Sequence, residues 1–377
     1  MVPTAQKIVI SGYYGYRNSG DEAVLQSILI ALQEQSQASG IRIEPVVLSI
    51  DPQWTAATYG VQAVHRMKLG EVRKALMDSA GLISGGGSLL QDVTGSKTIP
   101  YYLGIIKLAQ WLGKPTFIYA QGIGPVNRPL FHPLIKAVFR KCAYISVRDE
   151  QSRSLLASMG LDGEKIEVVP DPVMGLSLPV QDKGLGDQPL ETAIPVIGIS
   201  VRFWEGDRRE LDAIAEGLRE AASAQPLHLR FLPFHLPSDI EASRYIMERL
   251  GESVVQSGGM VSICEDAVHP QHMLREVAQC SVLLGMRLHS LIYAAGQRVP
   301  LMGISYDPKI DHFLKRIGSQ PVGSTAQLDG GKIASEIGQL LQNSTGWKHE
   351  REEAISTLVH QAQAPARHIA GYLSHKG

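Results

Sequence analysis

The stretch Gly285 to Ser290, GMRLHS, sets an arginine and a histidine two residues apart where an apolar run ends and a helix-like run begins. Backbone N–H groups and the positive end of a helix favour an anion at such a point. The Arg287 guanidinium is a planar fork for a carboxylate or phosphate, and the His289 imidazole changes charge near neutrality. With Leu288 between them, they make a turn able to hold an acidic substrate and move a proton. A capping arginine and a hydrogen-bonded buried histidine fit the same spacing.

Other apolar runs end in residues that can join this chemistry. SYDPK puts Lys309 at the end of the next strand-like run, where it is either a ligand for the same anion or a solvated surface lysine. SVRDE supplies Arg148 and VRFW supplies Arg202; each can reach a ligand or pair with the acid nearby, Asp149 or Glu205. FLPFH places His235 at a further strand end. Glycine-rich turns, SGGGSLLQD around Gly86 and QGIGP beginning at Gln121, allow close backbone approach to a ligand or serve as tight turns. Neither GSKT nor GYYGYRNSG has the order of a P-loop or a dinucleotide fingerprint, so nicotinamide and P-loop chemistry lose ground.

The elements that position these residues follow from composition and periodicity. A chain of 377 residues suggests two domains. A net charge of −1 argues against a nucleic-acid partner, so any anion must be held by a local cluster. Cys142, Cys264 and Cys280 are far apart and odd in number, and they read as reduced core thiols of a cytoplasmic protein. No Cys/His or Asp-x-Asp cluster suggests a metal, and no run has the length of a membrane span.

Short apolar runs alternate with amphipathic helical segments, which is the pattern of an α/β protein with parallel sheets. Residues 1–173 carry KIVISGYY, IEPVVLSI, GLISGG, PTFIYAQG, YISVRD and IEVVPD as strands of an N-terminal Rossmann-like domain. Ser19 and Glu22 read as a capping box before a helix whose apolar face is Val24, Leu25, Ile28, Leu29 and Leu32. The aperiodic stretch 174–195 is a linker, and 196–346 restarts the alternation as a second Rossmann-like domain with VIGISVRFW, LHLRFLPFH, SVLLGMR and PLMGISYD. SAGLISGGGSLL and QCSVLLGMRLHSL echo each other, as two similar domains facing across a cleft would. Residues 347–377 read as a mixed-charge helical segment that packs across the domains or lies on anionic lipid.

Taken in order along nearly the whole chain, GYYGYRNSGDEAVL, SGGGSLLQD, QGIGP, SVRDE and GMRLHS resemble the polysaccharide pyruvyl transferases, above all the CsaB type of bacterial cell-wall enzyme. The resemblance implies a GT-B-like fold, phosphoenolpyruvate as donor, and neither nucleotide nor metal. It further implies a lipid-diphosphate-linked ManNAc-GlcNAc acceptor at the inner face of the cell membrane. Pyruvate would end as a 4,6-ketal on ManNAc of a secondary cell-wall polymer that anchors surface-layer proteins.

On that reading Arg287, Leu288, His289, Arg148, Lys309 and Arg202 hold the donor, with His289, Arg148 and Lys309 acting in catalysis. The first domain holds the acceptor through Tyr14, Tyr16, Asn18, Asp21, Gly86 and Gln121, joined by His235 of the second. Tyr13, Tyr14 and Tyr16 offer flat faces to sugar rings, while Asn18 and Asp21 orient hydroxyls. Asp21 and Glu22 equally suit a helix N-terminus, and the tyrosines equally suit packing. Two other functions remain open at this level: a nucleotide-sugar glycosyltransferase on the same fold, and a non-catalytic sugar- or partner-binding protein.

Overall fold

The computed structural model describes residues 5–93, 95, 97–179, 194–265 and 269–375. The chain divides into two compact units, Met1–Leu176 with Leu358–Gly377, and Ser177–Thr357. Of the stretch 174–195, residues 180–193 lie outside the described residues. Within 347–377 the helices Ser344–Ala362 and Ala364–Ser374 occur, and the second of them belongs to the first unit.

In the first unit, strands β1 (Gln6–Tyr14), β2 (Ile43–Ser49), β3 (Gln62–His65), β4 (Gly81–Leu90), β5 (Thr116–Ile123), β6 (Tyr144–Val147) and β7 (Ile166–Val168) form one parallel sheet in the order β3-β2-β1-β4-β5-β6-β7. The central strands are covered on both faces, so they appear as unbroken apolar runs; Ile8, Val9 and Ile10 are fully buried. On one face lie the helices Leu69–Met77, Thr98–Trp111, Phe131–Phe139 and Glu150–Ser158, joined in one core by Leu76, Ile106, Ile135 and Leu156. The helix Ser19–Ser39 packs with Ala364–Ser374, which reaches β5 through an edge-on contact of Tyr372 with Phe117 at 5.2 Å.

The helix Ser19–Ser39 buries Val24, Leu25, Ile28, Leu29 and Leu32, as its periodicity requires. Its start differs from the expected capping box. Asn18 is the cap, its Oδ1 accepting the N–H groups of Gly20 and Asp21 at 3.1 and 3.4 Å. Glu22 turns outward from the helix instead, and its carboxylate accepts from Gly15 N, Arg17 N and the Tyr59 hydroxyl. It therefore ties the loop after β1 in place.

The second unit repeats the plan with β8 (Val196–Ser200), β9 (His228–Phe231), β10 (Met260–Ile263), β11 (Val282–Gly285), β12 (Leu301–Ser305) and β13 (Gly323–Ser324). Their parallel order is β10-β9-β8-β11-β12-β13. Both sheets thus reverse direction of winding beside their first strand, between β1 and β4 and between β8 and β11, where ligands of this architecture sit at the strand C-termini. The two echoing segments of sequence are β4 and β11, which occupy the same topological position. None of the three cysteines is in a disulfide. Cys280 is buried while Cys142 and Cys264 are only half-buried; burial, with the Glu276 charge adding to it, pushes the Cys280 thiol up to about 12.

Candidate functional site

In the second unit the backbone register brings the predicted cations into line. Ser200, Gly285 and Gly303 are partners on β8, β11 and β12, so Arg202, Arg287 and Ser305, each two residues farther on, end three neighbouring strands. Adjacent parallel strands lie ~4.8 Å apart, which fixes the spacing of these ends. Arg202 and Arg287 therefore flank the point at which the sheet reverses.

Arg287 caps the helix Leu288–Gly296, and its fork closes on a carboxylate not foreseen from sequence. Nε donates to Asp239 Oδ2 at 3.0 Å and Nη2 to Oδ1, while the Asp239 side chain is fully buried. Asp239 also accepts the N–H groups of Phe234 and His235, at 3.2 and 2.8 Å. Arg287 is thus not an unengaged anion receptor: two of its five donors are held by Asp239. His289 and Leu288, both half-buried, occupy the first turn of the helix that follows.

Arg202 donates from Nη1 to the Tyr306 hydroxyl at 3.2 Å, and its guanidinium lies 5.0 Å from the ring centres of both Trp204 and Tyr306. These two rings meet at 4.5 Å, an aromatic bracket that holds the cation. Lys309, exposed in the first turn of the helix Pro308–Arg316, pairs with Asp307 at 3.0 Å. His235 is exposed after β9.

In the first unit Arg148 follows β6. It lies across the backbone of β5, because Gly87, Gln121 and Val147 are register partners and each is followed by a residue of the contact, Ser88, Gly122 and Arg148. A Cβ on Gly122 would fall 2.6 Å from Arg148 Nε, so only glycine leaves the guanidinium its place. From there Nη2 donates to Ser88 Oγ at 2.8 Å, and Nη1 lies 3.9 Å from Asp171.

The residues expected on the acceptor side have these surroundings. Tyr14 is fully buried and presents no face to a sugar; a Cβ at Gly85 would lie 2.7 Å from its hydroxyl. Gly86 is the packing notch for Val24 of the helix Ser19–Ser39. Gln121 is wholly buried, its Nε2 donating to Ser84 O and Oγ at 3.1 and 2.6 Å. Asn18 is occupied as a helix cap. Asp21 stands beside Gly87, its Oδ1 3.0 Å from where a Cβ would be.

Tyr16 keeps its exposure. It stacks on Tyr13 with ring centres 4.0 Å apart and planes 4° from parallel, each ring about two-fifths exposed. Beneath them is Arg66, buried at 5% exposure, its guanidinium 4.5 Å from the Tyr101 ring and 5.6 Å from that of Tyr16. Arg66 donates to Gly12 O at 2.9 Å and to the Tyr102 hydroxyl at 3.2 Å. Sequence reasoning missed Arg66, although VHR ends a strand as SVR does. β3 is a half-exposed edge strand of four residues and gives no apolar run to mark it.

Taken together, the second unit presents oriented cations and a histidine at a strand-end row, and the first presents an exposed aromatic pair and an anchored arginine. This equipment suits a small polyanion on the one and a carbohydrate ring on the other. Among the described residues no group of three or more His, Cys, Asp or Glu is arranged to hold a metal, and no helix is long and apolar enough to cross a membrane.

A family profile described as polysaccharide pyruvyl transferase matches residues 18–308. The chain is 21% identical over 307 residues to the amylovoran biosynthesis protein AmsJ of Erwinia amylovora, across 74% of this chain and 69% of that one. Among solved structures, the UDP-GlcNAc 2-epimerase of Methanocaldococcus jannaschii aligns with a TM-score of 0.66 at 12% identity, over 99% of this chain and 100% of that one. A glycosyltransferase from Rickettsia africae gives 0.61 at 10% identity, over 99% and 98%. Anabaena HepE in complex with UDP gives 0.59 at 11% identity, over 98% and 100%. At these identities the likeness concerns the fold alone, which is that of GT-B-type proteins with two Rossmann-like domains.

Proposed function

Because the chain belongs to the polysaccharide pyruvyl transferase family, we propose that it moves the pyruvyl group of phosphoenolpyruvate onto a ManNAc residue of a lipid-diphosphate-linked ManNAc-GlcNAc acceptor. We assign it to the CsaB type, which forms a 4,6-ketal on a secondary cell-wall polymer used for surface-layer anchoring. The reaction needs no metal or other cofactor on this reading, and it takes place at the cytoplasmic face of the membrane. The observation that carries the proposal is the row of strand ends in the second unit, with Arg202 and Arg287 side by side and His289 two residues beyond.

Phosphoenolpyruvate has a carboxylate and a phosphate, and Arg287, Arg202 and Lys309 supply charge-assisted donors for them. His289 protonates the methylene carbon as an acceptor hydroxyl adds to the central carbon and loses its proton. Phosphate then leaves, and the second hydroxyl adds to the same carbon. One hydroxyl proton ends in the new methyl group and the other on phosphate, so the balance closes without an oxidant. The Tyr16–Tyr13 pair is the stacking platform for the acceptor sugar, with Asp21 beside it for a hydroxyl.

The donor is tested by thermal unfolding. Phosphoenolpyruvate at ~100 times its Kd contributes about 2.7 kcal/mol and raises Tm by several degrees, whereas UDP-sugars leave it unchanged. Stabilisation by UDP-GlcNAc alone would instead favour the glycosyltransferase reading, to which the Trp204–Tyr306 bracket lends a surface for a base. The acceptor is tested by mass spectrometry of a synthetic lipid-linked disaccharide, which should gain the mass of one pyruvate less one water.

Arg148 has its own test. Gly122→Ala displaces a flexible side chain rather than backbone, so the variant folds with an unchanged Tm. Loss of a charge-assisted contact worth ~1.5–3 kcal/mol then lowers kcat/KM by roughly 10–100-fold. Wild-type kcat/KM in Gly122→Ala would remove Arg148 from the site.

A further inference from the structure

From Lys97 to Arg148 the sequence contains no Asp or Glu and eight Lys or Arg, in a chain whose net charge is −1. No carboxylate within this segment can neutralise those cations. The segment supplies two neighbouring helices, Thr98–Trp111 and Phe131–Phe139, with Gln110 Nε2 of the first donating to Val138 O of the second at 2.9 Å.

The helix Phe131–Phe139 is apolar on two sides. Phe131, Ile135, Val138 and Phe139 fill the core, yet Leu130 and Leu134, one turn apart on the outer side, are 62% and 49% exposed. Lys136 and Arg140, on the other flank of the outer side, and Lys141 are exposed as well. The neighbouring helix ends in Trp111, 74% exposed, with Lys107 Nζ 5.6 Å from its ring. Leucines and a tryptophan together with cations that no carboxylate of their own segment neutralises are the composition of a helix face that seats in a lipid headgroup layer. A second copy would bring the same positive charge against it, so self-association is disfavoured by Coulomb repulsion.

We propose that this face docks the first unit on an anionic bilayer, with Trp111, Leu130 and Leu134 entering the interface and Lys136, Arg140 and Lys141 against lipid phosphates. The idea deepens the reading of a lipid-linked acceptor and rests on it for its purpose. Vesicle binding requires neither donor nor acceptor, so the two can fail separately.

Flotation of the full chain with phosphatidylcholine vesicles, with and without phosphatidylglycerol, tests the proposal. Binding is expected only to the anionic vesicles and weakens with added salt. Leu130→Glu/Leu134→Glu and Lys136→Glu/Arg140→Glu should each lower partitioning at least ~10-fold. Thermal melts and turnover on a water-soluble acceptor should stay at wild-type levels in both. No binding to anionic vesicles, equal binding to neutral ones, or undiminished binding by the variants would overturn the proposal. So would self-association of the wild type that the variants abolish.

Discussion

Arg287→Ala is expected to destabilise the second unit by about 3 kcal/mol as well as to weaken donor binding. The reason is Asp239. Its fully buried carboxylate keeps the N–H groups of Phe234 and His235 as donors when the guanidinium is removed, but it loses the cation that pairs with it at full burial. Charge alone does not restore the pair, because a lysine ammonium lacks the planar fork that meets both oxygens. Arg287→Lys should therefore recover part of the stability and little of the donor affinity. Urea unfolding of both variants, with phosphoenolpyruvate titrations of whatever remains folded, reads the two effects separately. A wild-type midpoint for Arg287→Ala would show that the pair with Asp239 does not hold the turn together.

His289→Ala is expected to lower turnover by ~10²–10⁴-fold, the usual worth of a positioned acid/base group. Here stability should change little, since the residue is half-buried in the first turn of its helix and the core is reached by Ser290 and Leu291 instead. Donor affinity should also be largely kept, because the charge-assisted contacts come from arginine and lysine. The contrast with Arg287→Ala separates a residue that moves a proton from one that both binds and braces. Near-normal turnover in a folded His289→Ala enzyme would dismiss His289 and make exposed His235, one loop away on the same strand-end side, the next candidate.

Strands enclosed on both faces announce themselves, and the edges do not. β1, β4, β5, β8, β11 and β12 are apolar runs because neighbours and helices cover them, whereas β3 and β10 are half-exposed and β13 has two residues. The expected strand set accordingly omitted all three. The same weakness concealed Arg66, which hangs from the end of β3. Asp239 was concealed differently: it lies 48 residues before Arg287 in sequence, and no local spacing announces a pair made across a sheet.

The order of apolar runs and helical faces in this sequence determined two parallel α/β units and marked Arg148, Arg202, Arg287, His289 and Lys309 as strand-end residues. That information is local, because a side-chain period and a chain reversal each occupy a few residues. Only the tertiary structure decided what those residues do with their charges and which neighbours they occupy. It sent Tyr14, Gly86 and Gln121 into packing, bound Arg287 to a buried carboxylate and cleared a path over Gly122 for Arg148. Register explains this division: it sets side by side residues that are far apart in the chain, and burial then fixes whether each meets solvent, a partner or another side chain.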